Sequence, residues 1–359
     1  EIFKQKKLPP KYGVENGLDV YIAFATQLDI SVFLYEALSA YQIIIPERVD
    51  ELLKSPFGTD LKIVRDNIHA YYKSGGYSQK ANNIINTKLR EYKMDKQDVL
   101  YPIRNDVSLV FQIVNGERRL IGSDQFISHC IYESNNEGWR GEQYSEYAEN
   151  LSAAIKGIAE STDDSIYQLP ELQINSTLPQ IELFDYKSAD LFARAPISRP
   201  TAFRLMLTLY QLSYGILQIN QIVEPIHKSD LWECFLTKQL AIKYDEAFDN
   251  IESILNHADE HDRDFIKELL FKNTLSLYQL KARAFAQSLR NTLHYHEIKM
   301  ETALCKDGTT PSWIMALYLS NSGTSIMADF LRYKAMMVEE MATLQQSIQE
   351  CFNLNKELY

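Results

Sequence analysis

The stretch that decides the fold lies near the end of the chain and reads IMADFLRYKAMMVEEMATLQQSIQECF, residues 326–352. Its apolar residues recur every three or four positions, at Ile326, Phe330, Tyr333, Met337, Met341, Leu344, Ile348 and Phe352. Because an α-helix repeats every 3.6 residues, this spacing puts all of them on one face. The segment therefore predicts a long helix that buries one continuous apolar stripe.

Further amphipathic segments precede this helix. Pro200 opens one of them, Ser229 or Asp230 caps a second, and the acidic run from Asp259 to Asp264 begins a third. The third is expected to run on as far as Arg290. Long helices with short connections form up-and-down bundles. We therefore expect a bundle of four or five helices over residues 200–359.

The N-terminal half has a more mixed pattern. Residues 17–43, 47–53, 61–72 and 143–160 have helical spacing. Residues 108–114 are strand-like, and Asn115-Gly116 leads to a returning strand at 119–122, so a small β-hairpin is expected. Prolines and polar residues fill 166–199. The expected fold is mainly α, with an N-terminal helical region of unknown role (1–165), an extended connector (166–199) and the bundle (200–359).

Charge and composition narrow the class of protein. The net charge is −11, which argues against a broad basic surface for long duplex DNA. No apolar run approaches the roughly 20 residues of a membrane span. The first residues lack a signal-peptide core, and four scattered cysteines form no CxxC pair. We expect a cytoplasmic chain with no metal, no cofactor and no membrane contact.

Chemistry-bearing residues concentrate in one short segment, Ser288-Leu289-Arg290-Asn291-Thr292-Leu293-His294-Tyr295-His296-Glu297. It combines a permanent cation, an amide and two imidazoles at the expected end of a helix. Within a helix, His294 would lie one turn beyond Arg290 on the same face. His296 would fall beside that face or in the following loop.

This segment resembles the signature of the HEPN superfamily. That signature is an Arg, commonly followed by a polar residue, and then a His after four to six intervening residues. Arg290-Asn291 and His296 fit it with five intervening residues, whereas His294 has only three. HEPN proteins are four- or five-helix bundles, which agrees with the expected helices. The resemblance covers about residues 200–355 only.

The resemblance implies a metal-independent ribonuclease, acting as a toxin or defence effector and often built across a homodimer. RNA is then the substrate, and its ribose 2′-hydroxyl attacks the neighbouring phosphate. His296, or else His294, is the general acid or base, Arg290 neutralises phosphate charge and Asn291 orients the phosphate or its partner. The same residues also fit a helix end where Arg and His cap carbonyls. The alternative function is accordingly a non-catalytic helical interaction or regulatory module.

Three other patterns favour packing over chemistry. His257 and His261 have metal-ligand spacing but fall at an expected helix junction, so polar residues are ordinary there. Arg104-Asn105 repeats the dipeptide of the candidate site without a following histidine. Residues 132–148 mix Trp139 and Arg140 with tyrosines, which could stack bases but more often pack.

At the candidate site itself, a polar helix end predicts that Arg290→Ala changes stability by under about 1 kcal/mol.

Overall fold

The computed structural model describes most of the predicted elements. It covers residues 46–72, 107–114, 117–123, 141–161, 181–218, 230–272, 282–291 and 326–354, with isolated residues and short runs at 27–42, 79, 83, 86, 319 and 322–324. The helices are α1 (Pro46–Lys54), α2 (Pro56–Tyr72), α3 (Gly141–Ser161), α4 (Ser188–Phe192), α5 (Arg199–Gln218), α6 (Asp230–His257), α7 (Glu260–Lys272), α8 (Arg283–Asn291) and α9 (Met327–Cys351). The mainly helical class predicted from the sequence is therefore confirmed.

The hairpin is also confirmed, and it gains a partner that the sequence reasoning missed. β1 (Val107–Val114) pairs antiparallel with β2 (Glu117–Gly122), and β3 (Ile181–Tyr186) pairs antiparallel with the other side of β1. The strand order is β2-β1-β3. β3 and α4 lie within the expected connector, so at least residues 181–192 of that connector are regular structure.

A glycine permits the close approach of α1 and α2. The segments 47–53 and 61–72, which have helical spacing, belong to α1 and α2, and Ser55 alone separates these two helices. A Cβ atom at Gly58 would stand 2.2 Å from the carbonyl oxygen of Leu52 and 2.6 Å from the Cα of Leu53. Such distances are far inside van der Waals contact. The turn therefore depends on the missing side chain of Gly58.

The C-terminal helices agree with their predicted starts. The Asp259 carboxylate accepts a bond from the backbone N–H of Asp262 at 2.8 Å and so caps α7. Asp262 in turn accepts bonds from the backbone N–H and the hydroxyl of Ser198, at 2.8 and 2.5 Å, which ties α7 to the start of α5. The expected third helix is described as two helices, α7 and α8, with 273–281 outside the described residues.

The predicted stripe of α9 forms the centre of the core. Phe330, Met337, Met341, Leu344 and Ile348 are each fully buried, whereas Ile326, at its start, is 55% exposed. One hydrophobic cluster runs from the strands and the N-terminal helices into the C-terminal helices. Burial of this stripe is what holds α9 against α5 and α6.

Polar contacts join the two halves of the chain. Gln345 of α9 donates to the Leu120 carbonyl of β2 at 2.9 Å and to the Ser213 hydroxyl of α5 at 2.8 Å. Gln349 donates to the Arg118 carbonyl at 3.2 Å. Lys243 of α6 forms an ion pair with Asp29 at 2.8 Å. The division into domains stays a prediction, and these contacts connect its two sides.

Among the helices described, none has the length and apolar character needed to cross a bilayer.

Candidate functional site

The short helix α8 carries the candidate residues and is held by aromatic packing. Phe285, Ala286 and Leu289 are buried on its inner face. The Phe285 ring stacks on Tyr333 of α9 at 4.8 Å and meets Phe330 edge-on at 5.3 Å. These contacts fix the rotation of α8. Arg283 and Arg290, seven residues or about two turns apart, therefore emerge on the same side.

That side of α8 faces a row of carboxylates on α6. Asp245, Asp249 and Glu252, here called the acidic row, are spaced by four and three residues and so share one face of α6. Arg283 Nη2 lies 2.9 Å from Asp249 Oδ1 and 2.7 Å from Glu252 Oε2. Arg290 Nη1 forms an ion pair with Asp245 Oδ2 and lies 3.4 Å from Asp249 Oδ2. The row thus binds both arginines.

Burial differs sharply along the acidic row. The Asp245 side chain has no exposed surface, whereas Asp249 and Glu252 are 40% and 43% exposed. Burial and the neighbouring Asp249 charge raise the pKa of Asp245 to about 6, although Arg290, Arg283 and a bond from Gln287 oppose that rise. Asp245 therefore titrates close to neutral pH, as carboxylates at functional sites often do.

The surroundings of Arg290 argue against the small effect on stability that is expected of a polar helix end. Its side chain is only 19% exposed and forms the ion pair of a fully buried carboxylate. Asn291 ends α8, and its amide oxygen is buried without a hydrogen-bond donor in the described part of the chain. His294 and His296 lie outside the described residues. The structure thus places Arg290 and Asn291 together, and the roles of the two histidines stay predictions.

The two histidines at the α6–α7 junction are engaged separately. His257 Nδ1 contacts the Ser253 carbonyl at 2.7 Å, within the last turn of α6. His261 Nε2 contacts the Pro196 carbonyl at 2.9 Å, in a different segment. Among the described residues no group of three or more potential metal ligands occurs. Each imidazole at the junction thus contacts a backbone carbonyl of a different segment.

The remaining sequence candidates lie partly outside the described residues. Arg104, Asn105, Trp139 and Arg140 belong to that undescribed part. Tyr147 is described and buried, and its hydroxyl donates to Ser31 Oγ at 2.5 Å. Burial raises the pKa of Tyr147 above its ordinary value. It acts as a core residue that joins α3 to the N-terminal segment, which agrees with the packing interpretation.

Sequence reasoning missed the acidic row, although a signal for it exists. Three carboxylates at i, i+4 and i+7 on one helix, and two arginines seven residues apart on another, are matching charge patterns. What the sequence does not reveal is that α6 and α8 pack against each other. Without that pairing, the acids look like solvent-exposed residues of an amphipathic helix.

Arg290 and Asn291 close helix α8, which packs against α6 and α9. Comparison of the chain with models of known protein families, with curated protein sequences and with solved structures finds no match.

Proposed function

We propose that this chain is a metal-independent ribonuclease of the HEPN type, working in the cytoplasm as a toxin or defence effector. The observation that carries the proposal is the setting of Arg290. Its side chain lies at a helix end and is 19% exposed, and its guanidinium contacts a buried carboxylate whose pKa is raised to about 6. A cation held by an acid with a raised pKa is an arrangement suited to chemistry on phosphate.

The proposed reaction is attack of a ribose 2′-hydroxyl on the adjacent phosphorus. The 2′-oxygen bonds to phosphorus, the 5′-oxygen leaves, and a 2′,3′-cyclic phosphate remains on the upstream fragment. His296, with His294 as the second choice, removes the hydroxyl proton or returns one to the leaving oxygen. Because the nucleophile belongs to the substrate, the reaction needs no metal-bound water.

Arg290 and Asn291 supply the remaining functions at the phosphate. The guanidinium neutralises negative charge that builds on the non-bridging oxygens in the transition state. Asn291 orients the phosphate or its histidine partner through its amide. His294 and His296 follow Arg290 by four and six residues, so even a fully extended chain keeps them within about 14 and 21 Å of its Cα. Chain length therefore allows either imidazole to approach the phosphate that Arg290 binds in this proposal.

A homodimer completes this proposal. One copy contributes Arg290 as its phosphate-binding cation, and a transition state with two charged oxygens is stabilised better by two guanidinium groups. A two-fold axis near the end of α8 would bring two such groups to one RNA strand. The chain's net charge of −11 makes this local positive pair more important, since the protein as a whole repels RNA.

A second function is favoured by the same ion pairs. Arg290 contacts Asp245 and Asp249, as a structural arginine between two helices would. On this interpretation the chain is a non-catalytic helical module that binds another protein. The two functions make different demands on residue 290. Only the ribonuclease needs the planar guanidinium to bind phosphate as well as to form the ion pair.

The deciding experiment compares RNA cleavage by the wild type, Arg290→Lys and Arg283→Lys, each with and without EDTA. Lysine keeps the charge for the acidic row but lacks the two-pronged contact with phosphate. We expect EDTA-resistant cleavage by the wild type, loss of about 100-fold or more for Arg290→Lys, and near-normal cleavage for Arg283→Lys. Arg283 is the control, because it lies on the same helix, has the same 19% side-chain exposure and also pairs with carboxylates, although these are exposed. Absence of cleavage by the wild type, or equal losses for both variants, favours the interaction module.

A further inference from the structure

The two arginines of α8 meet the acidic row in very different surroundings. Both side chains are 19% exposed. Arg283 binds Asp249 and Glu252, which are 40% and 43% exposed, as in an ordinary surface ion pair. Arg290 instead contacts Asp245, which has no exposed surface. The same two helices thus provide one surface ion pair and one buried ion pair.

A buried carboxylate requires an explanation beyond fold stability. Moving a carboxylate out of water costs several kcal/mol, and its pairing with an arginine commonly offsets that only in part. Here burial and the Asp249 charge together raise the pKa of Asp245 in spite of Arg290 and Arg283. An apolar residue at 245 would fill the same space without that cost. What the carboxylate adds is a fixed direction for the Arg290 guanidinium.

We infer, as a consequence that rests on the proposed ribonuclease function, that Asp245 is the positioning residue of the site and orients the Arg290 guanidinium toward the RNA phosphate. Asp245 does not itself reach substrate, since it is completely buried between α6 and α8. It acts through Arg290 alone. Arginine has many side-chain rotamers, and a partner that selects one of them lowers the entropy lost when phosphate binds.

This role makes cleavage depend on the charge of Asp245. The groups that face it are Arg290, Arg283 and Gln287 from α8, and Asp249 and Tyr244 from α6. From α9, Glu340 accepts a short hydrogen bond from the Tyr244 hydroxyl and so holds that ring. Above about pH 7 the carboxylate is charged and holds Arg290, because the pKa of Asp245 is about 6. Below about pH 5.5 it is protonated and its hold on the guanidinium weakens.

The test is the ratio of kcat/KM for wild type and Asp245→Asn, measured on an end-labelled oligoribonucleotide between pH 5 and 8. Asparagine has the size of the protonated acid but no charge. We expect the wild type to be about tenfold or more faster above pH 7, with the ratio approaching one near pH 5. A ratio, unlike a rate, cancels the titration of the histidines. A ratio that is constant over this range, or an Asn variant as fast as the wild type at pH 7.5, overturns the inference.

A second pair of variants covers the case in which Asp245→Asn does not fold. Asp249→Asn removes the charge that adds to the effect of burial in raising the pKa of Asp245, and the Asp249 side chain is 40% exposed. The pH at which cleavage falls to half its plateau should then move downward. Glu252→Gln removes a similar charge that contacts Arg283 and should move that midpoint less. Equal shifts, or no shift, overturn the inference.

The outcomes separate the inference from the function on which it rests. A wild type that does not cleave RNA removes the proposed function, and the positioning role is overturned with it. A wild type that cleaves with a flat ratio removes the positioning role alone. An Asn variant that cleaves faster than the wild type shows instead that Asp245 competes with phosphate for Arg290, which also contradicts the inference.

Discussion

Arg283 and Arg290 stand two turns apart on α8 and share one carboxylate, that of Asp249. Asp249 Oδ1 lies 2.9 Å from Arg283, and its Oδ2 lies 3.4 Å from Arg290. The shorter contact leaves Arg290 to be held mainly by Asp245. Because the two arginines differ in their main partner, a substitution at Arg283 serves as the control for the same substitution at Arg290.

The first prediction concerns stability at these two positions. Arg290→Ala leaves the buried Asp245 without its cation, so we expect a loss of about 3 kcal/mol in the free energy of unfolding at pH 7.5. Arg283→Ala should lose under about 1 kcal/mol, because its acid partners remain in contact with water. Urea denaturation followed by circular dichroism measures both. Equal losses for the two variants would show that Asp245 is more hydrated than the structure indicates.

The second prediction is a pH dependence of stability caused by Asp245. Its folded pKa of about 6 exceeds the unfolded value of 3.8, so the folded state binds the proton more tightly and gains stability as pH falls. From pH 7.5 to pH 5 the wild type should gain roughly 1 kcal/mol relative to Asp245→Asn. The lowered pKa of Asp262 does not interfere, since its contribution is lost only below the unfolded value of 3.8. A constant difference between the two proteins over this range would contradict the prediction.

The third prediction separates the two histidines. His296→Ala should lower the rate of RNA cleavage by roughly 10² to 10⁴ through loss of a positioned acid or base. His294→Ala should have a smaller effect, because its spacing from Arg290 departs from the motif. Single-turnover assays on the same oligoribonucleotide give both rates, and melting temperatures check that both variants are folded. The reverse order would transfer the catalytic role to His294.

The fourth prediction compares two glycines in helices. A Cβ atom at Gly58 would meet the Leu52 carbonyl at 2.2 Å, so Gly58→Ala must displace the backbone between α1 and α2. We expect a loss of about 2 kcal/mol or more. Gly157 in α3 has nothing within 4 Å of its would-be Cβ, so Gly157→Ala should gain roughly 0.5 to 1 kcal/mol from helix propensity. Thermal melts of both variants test the placement of α1 against α2.

The fifth prediction is the assembly state. Under the proposed function the chain is a symmetric dimer at micromolar concentration, with two copies of the α8 end near one axis. Light scattering coupled to size-exclusion chromatography measures the mass directly. Mixing inactive Arg290→Lys with inactive His296→Ala tests whether residues of both copies form one site, since a shared site recovers partial cleavage. A fully active monomer would remove the dimer from the proposal.

The sequence predicted the helices well where apolar spacing alone decides them. The stripe from Phe330 to Ile348 and the acidic start of α7 are examples, because helix period and capping are local properties. β3 was missed, since Pro179 and many polar residues precede it and its pairing with β1 is non-local. Asp245 was missed for the same kind of reason. Its importance comes from the packing of α6 on α8, which no local pattern of residues encodes.

Gln345 and Gln349 of α9 also protect one edge of the β-sheet. Among the described strands β2 lies at the edge of its sheet, and an edge strand with open carbonyl groups can pair with a strand from another molecule. Gln345 donates to the Leu120 carbonyl and Gln349 donates to the Arg118 carbonyl. Because these two residues are two positions apart on β2, their carbonyl groups point to the same side of the strand. The last helix thus closes the edge of a sheet formed much earlier in the chain. A ribosome-bound chain that has not yet released residues 327–351 lacks these two donors, so we expect β2 to pair with strands of other molecules more readily in that interval.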